Sequence, residues 1–262
     1  MSDRYAIIGN PVAHSKSPWI HAAFARATSQ DLDYGRIEAP LDAFAATVES
    51  FRAAGGKGLN VTLPFKQEAF ALCSSVSERA RVAQAVNTLV LETGFGDNTD
   101  GIGLVRDLAQ NLKVRFRTVL LLGAGGAAQG VVGALLEAGA RRIVIANRTV
   151  SRAKALAERF AGAWGCGYGA VPREPFDLVI NATSAGLSDE APPLPPGVLG
   201  KDVLAYDMVY GRDTPFLAAA RRAGARTCDG LGMLVEQAAE SFFIWRGVRP
   251  QTRALLETLR GA

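Results

Sequence analysis

The chain has 262 residues, of which 48% are hydrophobic and 21% charged, and its formal net charge is +4. This length and composition suffice for two modest domains or one large one, so we expect an ordinary globular protein. The positive charge is not gathered into a run of lysine or arginine. That argues against a nucleic-acid partner and favours small phosphorylated or carboxylated ligands.

The cysteines and histidines form no metal-binding pattern. Cys73, Cys166 and Cys228 are far apart in the sequence and make no C-x-x-C motif, which fits a reducing cytoplasm. His14 and His21 are the only histidines, and they lack the spacing of a local ligand pair. We therefore expect no metal site. The N-terminal apolar run is also far too short for a signal peptide.

The first part of the chain mixes strands and helices. A strand is predicted at residues 5–8, and a helix follows with Ser17 as its N-cap and Pro18 at its first position. Ser15 and Lys16 stand beside Ser17, so hydroxyls, an ammonium group and free helix N–H groups meet at one point, as a carboxylate ligand requires. The further predicted elements are a helix at 41–54, a strand at 59–63, a helix at 77–82, a strand at 85–91 and a helix at 102–112.

Lys66 breaks a local rule. Pro64 suits the first turn of a helix, which places Lys66 in that turn, where a cation opposes the helix dipole by about 0.3–1 kcal/mol. Such violations cluster at functional sites, although a lone lysine there is more often a solvated side chain. Two other polar residues have equally plain alternatives, because Asn87 can be a satisfied buried amide and Asp100 an N-cap.

Residues 118–152 predict a strand, a glycine turn, a helix and a second strand. The apolar run 119–122 ends in GAGGAA, which fits the pattern G-x-G-x-x-G/A. Gly123 permits the tight turn, Gly125 lets the backbone approach a pyrophosphate, and Ala128 allows close packing of helix on strand. The uncharged run 119–136 has about the length of a membrane span, but glycines interrupt it, so we expect no membrane segment.

The rest of the chain continues this alternation. Buried strands are predicted at residues 176–183, 203–208 and 226–228, with helices at 153–161 and after Thr214, which indicates a doubly wound parallel sheet. The last two predicted helices run from about residue 230 to Trp245 and from Pro250 to Arg260.

The residues after the second strand of the central unit predict the cofactor. An NAD site has an acidic residue about 20 positions past the glycine turn, where this chain has Asn147. Arg148, Thr149 and Arg152 follow at the start of a helix, so two guanidinium groups and helix N–H donors suit the 2′-phosphate of NADP. The alternative is that both arginines are solvated surface residues.

Several motifs resemble those of the shikimate dehydrogenase family, in that family's order and along nearly the whole chain. They are HSKSP at 14–18, NVT at 60–62 with Pro64 and Lys66, VNT at 86–88, DNTDG at 97–101, NRT at 147–149 and the segment 230–237. Two departures are visible. The hairpin between Leu91 and Gly96 is short, and Gln84 stands where the family often has a small residue.

The resemblance implies a two-domain α/β enzyme. Residues 1–99 and 234–262 would form a substrate-binding catalytic domain, and residues 100–233 a Rossmann-type NADP-binding domain. The reaction would be the interconversion of shikimate and 3-dehydroshikimate by hydride transfer with NADP, in aromatic amino-acid biosynthesis. Lys66 would be the acid/base, and Asp100 would orient it and bind the same hydroxyl.

The expected ligand contacts fall into two sets. Substrate binding is expected from Ser15, Ser17, Thr62, Asn87, Asp100, Tyr210 and Gln237. Cofactor binding is expected from Glu78, Gly123, Ala124, Gly125, Gly126, Ala127, Asn147, Arg148, Thr149, Arg152, Met208, Gly230 and Met233.

Three other functions remain open from the sequence. One is an NAD-dependent quinate/shikimate dehydrogenase, another is a methylenetetrahydrofolate dehydrogenase, and the third is a non-catalytic dinucleotide or metabolite sensor. The ring-hydroxyl contacts disfavour the second, and the presence of both Lys66 and Asp100 disfavours the third, since pure binding needs no acid/base lysine. A monomer or a homodimer is expected.

Overall fold

The computed structural model describes residues 2–183 and 191–261. The chain divides into two compact units. The first contains the residues up to Gly103 together with those from Leu234 onward, and the second runs from Leu104 to Met233. Each unit has its own six-stranded sheet, so the predicted α/β class with two sheets is confirmed.

The elements are numbered in chain order. The strands are β1 (Asp3–Gly9), β2 (Leu32–Glu38), β3 (Gly56–Val61), β4 (Ser75–Val76), β5 (Thr88–Val90), β6 (Phe95–Asp97), β7 (Thr118–Leu122), β8 (Arg142–Ala146), β9 (Ala163–Cys166), β10 (Leu178–Asn181), β11 (Leu204–Asp207) and β12 (Arg226–Cys228). The helices are α1 (Ser17–Thr28), α2 (Phe44–Ala53), α3 (Lys66–Leu72), α4 (Glu78–Ala83), α5 (Asp100–Arg106), α6 (Gly126–Glu137), α7 (Val150–Ala157), α8 (Pro215–Arg222), α9 (Leu231–Arg246) and α10 (Arg253–Gly261). A π-helical turn, Asp107–Asn111, continues α5, and a 3₁₀ turn occupies Tyr168–Ala170.

The sheet of the first unit is mixed. Its order is β2-β1-β3-β5-β6-β4, in which β5 runs antiparallel to both β3 and β6. Ile8 and Leu59 on the central strands are fully buried and pack in one apolar cluster with Phe44 of α2 and Phe65, the N-cap of α3. This core fixes the ends of β1 and β3, where the candidate substrate residues begin.

The sheet of the second unit is entirely parallel. Its order is β12-β11-β10-β7-β8-β9, so the chain moves outward from β7 in one direction and then outward from β10 in the other. Helices cover both faces of such a sheet, which is why β7, β8 and β10 are continuous apolar runs in the sequence. The order reverses between β7 and β10, and ligands of doubly wound sheets bind at the carboxyl ends of the strands at this point.

Three strands, β2, β4 and β9, were not predicted, and β6 was predicted only as the return of a short hairpin. β2 and β9 lie at the edges of their sheets, where a strand has one hydrogen-bonded neighbour. β2 alternates exposed and buried residues only loosely, and β9 has four residues that include Gly165. Edge strands of this kind carry a weak apolar pattern, because little of their surface is buried.

Several predicted helix starts were also wrong. Ser17 lies inside α1, whose N-cap is Lys16, and Asp100 is the first residue of α5 rather than a residue before it. Pro64 and Pro250 precede α3 and α10 instead of opening them. Proline also suits the turn that leads into a helix, so it locates a helix boundary only to within a few residues.

The uncharged run at residues 119–136 divides into β7, the glycine turn and most of α6, as predicted. Across residues 2–183 and 191–261, no helix has both the length and the apolar character needed to cross a membrane.

Candidate active site

Lys66 and Asp100 form the central pair of the first unit. The Lys66 ammonium lies 2.5 Å from Oδ2 of Asp100, and their side chains are only 13% and 7% exposed. Lys66 is the first residue of α3, and a carboxylate supplied by α5 offsets the unfavourable helix dipole there. Lys66 is therefore not the solvated side chain that its position in the sequence suggested.

Asn87 binds the other oxygen of the same carboxylate. Its Nδ2 donates to Asp100 Oδ1 at 2.9 Å, while its Oδ1 accepts from the backbone N–H of Thr99 at 2.8 Å. The backbone N–H of Asp100 in turn donates to Oδ1 of Asn98. Both carboxylate oxygens of Asp100 are thus held, and the carboxylate can orient an ammonium group without itself rotating.

Gln237 is connected to this pair through hydrogen bonds, and Thr62 lies four residues before Lys66 in the sequence. Gln237, on α9, accepts from the Thr99 hydroxyl at 3.2 Å and from Asn87 Nδ2 at 3.4 Å. Thr62 follows β3, and its backbone N–H donates to the carbonyl of Ile8. A Cβ on Gly9 would lie 2.4 Å from the Thr62 methyl, so glycine is required for this close approach.

Ser15 and Ser17 are brought together at the start of α1. Their hydroxyl oxygens are 3.1 Å apart, and Ser15 Oγ also accepts from the backbone N–H of Ser17. The guanidinium of Arg36, on the unpredicted strand β2, donates two hydrogen bonds to the carbonyl of Ser15. Hydroxyls and helix N–H groups at one point are suited to an anion, and Arg36 is a supporting residue that sequence reasoning missed.

The buried aromatic groups beside these serines do not titrate in the working range. Burial raises the pKa of Tyr34 well above its ordinary value, with the Ser17 hydroxyl acting in the opposite direction. Burial lowers the pKa of His21 to about 3, and its ring stacks on Tyr34 with a centroid separation of 4.2 Å. His21 is neutral at physiological pH and cannot compete with Lys66 as a general acid.

The glycine turn of the second unit fits a dinucleotide. Gly123 has φ = +105°, and a Cβ there would lie 3.0 Å from the carbonyl oxygen of Ala182. Gly125, the N-cap of α6, faces open space and gives that helix no side-chain cap. The N–H groups of the first turn, including those of Gly126 and Ala127, therefore remain available for a phosphate, with Ala124 in the turn itself.

The segment after β8 presents the basic residues at the surface. Asn147 Nδ2 donates to the carbonyl of Thr149. Thr149 is the N-cap of α7, and its side chain makes no cap hydrogen bond. Arg148 and Arg152 are exposed. Burial raises the pKa of the nearby Tyr168, and the charge of Arg148 acts in the opposite direction. This turn combines uncapped helix N–H groups with two cations, as a phosphate monoester requires.

The remaining cofactor candidates of the second unit lie around β11. The backbone N–H of Gly230 donates to the carbonyl of Val209, and a Cβ on Gly230 would lie 2.3 Å from the carbonyl oxygen of Met208. The backbone N–H of Met233 donates to the buried phenol of Tyr206. Met208 and Gly230 are therefore in close contact, and Met233, in the first turn of α9, belongs to the same apolar cluster as Met208.

Glu78 and Tyr210 each belong to a different unit from most of the residues predicted to bind the same ligand. Glu78 belongs to the first unit, its side chain is 72% exposed, and its carboxylate pairs with Arg81. Tyr210, a candidate substrate contact, is half-buried in the loop after β11 in the second unit. Among the residues described, no group of three or more His, Cys, Asp or Glu side chains has the arrangement of a metal site.

These features define an α/β dinucleotide-dependent oxidoreductase. The second unit has a doubly wound parallel sheet with a glycine turn, an uncapped helix and a basic second turn, and the first unit has a buried lysine–carboxylate pair. Family models match along the chain. They describe the shikimate dehydrogenase substrate binding domain at residues 7–89, shikimate/quinate 5-dehydrogenase at 104–187 and the shikimate 5′-dehydrogenase C-terminal domain at 230–260. The chain belongs to the shikimate dehydrogenase family.

Individual relatives agree with this assignment. A shikimate dehydrogenase (NADP(+)) from Janthinobacterium sp. (strain Marseille) is 58% identical over 99% of this chain and 97% of its own. The structure of shikimate 5-dehydrogenase from Thermus thermophilus in complex with NADP(H) and shikimate has 37% identity and a TM-score of 0.87, covering 99% of each chain. Quinate dehydrogenase from Corynebacterium glutamicum in complex with NAD has 30% identity and a TM-score of 0.86, covering 100% of this chain and 99% of that one.

Proposed function

We propose that this chain interconverts shikimate and 3-dehydroshikimate with NADP, in the biosynthesis of chorismate and the aromatic amino acids. The observation that carries the proposal is the buried contact of the Lys66 ammonium with Asp100, whose second carboxylate oxygen is held by Asn87. An acid/base group fixed in this way suits an alcohol–ketone interconversion, in which a proton must be exchanged at the reacting oxygen.

The protein residues carry the proton in this reaction. Bound NADP supplies the acceptor for the hydride that leaves the alcohol carbon. Lys66, in its neutral form, accepts the hydroxyl proton as the carbonyl forms, and in the reverse direction its ammonium protonates the ketone oxygen. The Asp100 carboxylate orients the Lys66 side chain and contacts the same substrate hydroxyl.

We assign the rest of the substrate to polar groups of the first unit. Ser15 and Ser17, with the first turn of α1, bind the substrate carboxylate, because two hydroxyls and free N–H groups face one point there. Thr62, Asn87 and Gln237 bind ring hydroxyls, since their amide and hydroxyl groups donate and accept as a polyol requires. Tyr210 is assigned to the same role on the resemblance alone.

The second unit binds NADP in this proposal, while the first binds the substrate. Gly125 and the N-terminus of α6 receive the pyrophosphate, and Arg148, Thr149 and Arg152 receive the 2′-phosphate. Met208, Gly230 and Met233 would line the nicotinamide. Glu78 is assigned there on the resemblance alone, since its side chain pairs with Arg81.

The test is the change in absorbance at the reduced-nicotinamide band when protein is mixed with shikimate and either NADP or NAD, and again with quinate. Turnover of shikimate with NADP, abolished or greatly reduced in Lys66→Ala, is the expected result. Comparable kcat/KM values for NAD and NADP, or faster turnover of quinate, would identify an NAD-dependent quinate/shikimate dehydrogenase instead. Tight binding without turnover would indicate a sensor.

We also propose a cytoplasmic enzyme that is a monomer or a homodimer. The reducing compartment is supported by the three cysteines, Cys73, Cys166 and Cys228, none of which is in a disulfide. Light scattering coupled to size exclusion gives the assembly state, and a trimer or larger oligomer would contradict the proposal.

A further inference from the structure

We propose that Thr88 and Ser241 are positioning residues whose hydroxyls hold the Asn87 amide, and through it the Lys66–Asp100 pair. This inference rests on the proposed function, in which Lys66 and Asp100 perform the proton transfer. Both hydroxyl residues are fully buried. Neither contacts the Lys66 ammonium directly, so any effect on the reaction passes through Asn87.

The Asn87 amide has to point one way for the site to work. Its Nδ2 must face Asp100 Oδ1, because a carbonyl oxygen placed there would meet a carboxylate oxygen, and two acceptors repel each other. Its Oδ1 then needs donors. Thr99 supplies its backbone N–H, and the Thr88 hydroxyl donates at 2.9 Å. The Thr99 hydroxyl also lies within hydrogen-bond distance of Asn87 Oδ1, at 3.1 Å, and the Thr88 hydroxyl is the closer side-chain donor that favours the productive orientation over the flipped one.

Ser241 determines where the Thr88 proton goes. Its Oγ lies 2.8 Å from Thr88 Oγ1 and accepts from Asn60 Nδ2 at 2.9 Å. A hydroxyl has a single proton, so Thr88 can donate to Asn87 while it accepts from Ser241. Ser241 lies one turn beyond Gln237 on α9, and the Gln237 carbonyl, 3.1 Å away, is the longer alternative acceptor for the single Ser241 proton.

The far end of this chain of hydrogen bonds is anchored by Tyr34. Its phenol donates to Asn60 Oδ1 at 2.7 Å, which turns Asn60 Nδ2 towards Ser241. Burial raises the pKa of Tyr34 well above its ordinary value, so the phenol stays a donor throughout the working pH range. The donors therefore run in one direction from Tyr34 to Asp100.

Two substitutions of Thr88 distinguish a hydrogen-bonding role from a packing role. Thr88→Val keeps the shape of the side chain but loses the hydroxyl, whereas Thr88→Ser keeps the hydroxyl and loses the methyl group. If the hydroxyl positions Asn87, Thr88→Val lowers kcat for shikimate by about 3- to 10-fold, the worth of one hydrogen bond, and Thr88→Ser stays within about twofold of wild type. A packing role predicts the opposite order.

The experiment compares kcat and both KM values for Thr88→Val, Thr88→Ser, Ser241→Ala and the double variant Thr88→Val/Ser241→Ala. We expect an unchanged KM for NADP, and a double variant less impaired than the product of the two single effects, since both act through Asn87. Thr118→Val is the matched control, because it also removes a hydroxyl that donates to a polar side chain, that of Asp177, in a strand of the second unit. It should leave kcat unchanged.

A measurement without turnover separates this inference from the proposed function. Hydrogen exchange of the Asn87 side-chain amide, followed by NMR in the unliganded protein, should be accelerated in Thr88→Val and Ser241→Ala but not in Thr88→Ser. Absence of shikimate turnover in the wild type would sink the proposed function and leave this readout intact. Wild-type turnover with unchanged kcat and unchanged exchange in Thr88→Val would overturn the positioning role alone.

Discussion

Replacement of Lys66 should separate chemistry from stability. In Lys66→Ala the Asp100 carboxylate, only 7% exposed, keeps its hydrogen bond from Asn87 but loses the ammonium 2.5 Å away. Breaking a fully buried ion pair costs about 3–5 kcal/mol. Because Asn87 still holds one oxygen and Lys66 is 13% exposed, we expect a loss of at most about 3 kcal/mol in the free energy of unfolding. The same change should lower kcat by about 10²–10⁴-fold.

Lys66→Arg is the variant that tells the two effects apart. Arginine keeps a cation beside Asp100, so the unfolding free energy should stay within about 1 kcal/mol of wild type. A guanidinium does not deprotonate in proteins, so it cannot accept the hydroxyl proton, and kcat should still fall by at least about 10²-fold. The assays are urea unfolding and steady-state kinetics in the shikimate-oxidising direction. Near-wild-type kcat in Lys66→Arg would refute the acid/base role.

Three other residues give predictions that do not depend on Lys66. Arg148→Ala should lower kcat/KM for NADP by about 10- to 150-fold and leave that for NAD within about threefold; equal losses with both cofactors would argue against a 2′-phosphate contact. Tyr206→Phe removes the hydrogen bonds from the Tyr206 phenol to Asp107 and from the Met233 N–H, so urea unfolding should show a loss of about 1–3 kcal/mol, and an unchanged midpoint would contradict this. The pKa of His21 is about 3 in the folded state against about 6.5 unfolded, so the unfolded state binds more protons between these values and stability is lost as pH falls. Relative to His21→Phe, the wild type should lose about 2 kcal/mol between pH 6.5 and pH 5, and parallel pH profiles would show that His21 is not the cause.

The second unit was largely predictable because its signals are local. The strand runs, the glycine turn and the helix that follows are each encoded within a few residues, and the structure has them in β7 and α6. The family resemblance also predicted the Rossmann-type sheet, and a parallel sheet covered on both faces leaves little freedom in strand order. Only β9 was missed, because a four-residue edge strand buries too little surface to have a clear pattern.

The first unit was less predictable because its sheet depends on distant pairings. β5 was predicted from residue 85 but begins at Thr88, and it runs between β3 and β6 in the middle of a mixed sheet. Arg36 and Tyr34 lie on β2, which has no strong pattern of its own, so no local signal connected them with Ser15 or Asn60. Hydrogen bonds between residues far apart in sequence are invisible to periodicity and capping rules.

Lys66 shows what a broken local rule can indicate before a structure is known. A cation in the first turn of a helix is unfavourable by itself, and Glu68, the acidic residue of the same turn, is only two positions along, where side chains do not face each other. The compensating carboxylate is 34 residues away, on Asp100, and that residue had its own adequate local interpretation as a helix cap. Each residue taken alone favoured the plain interpretation. Their pairing satisfies both and leaves an ammonium group fixed beside a carboxylate in a site with little solvent, which is the arrangement that proton transfer to a ketone oxygen requires.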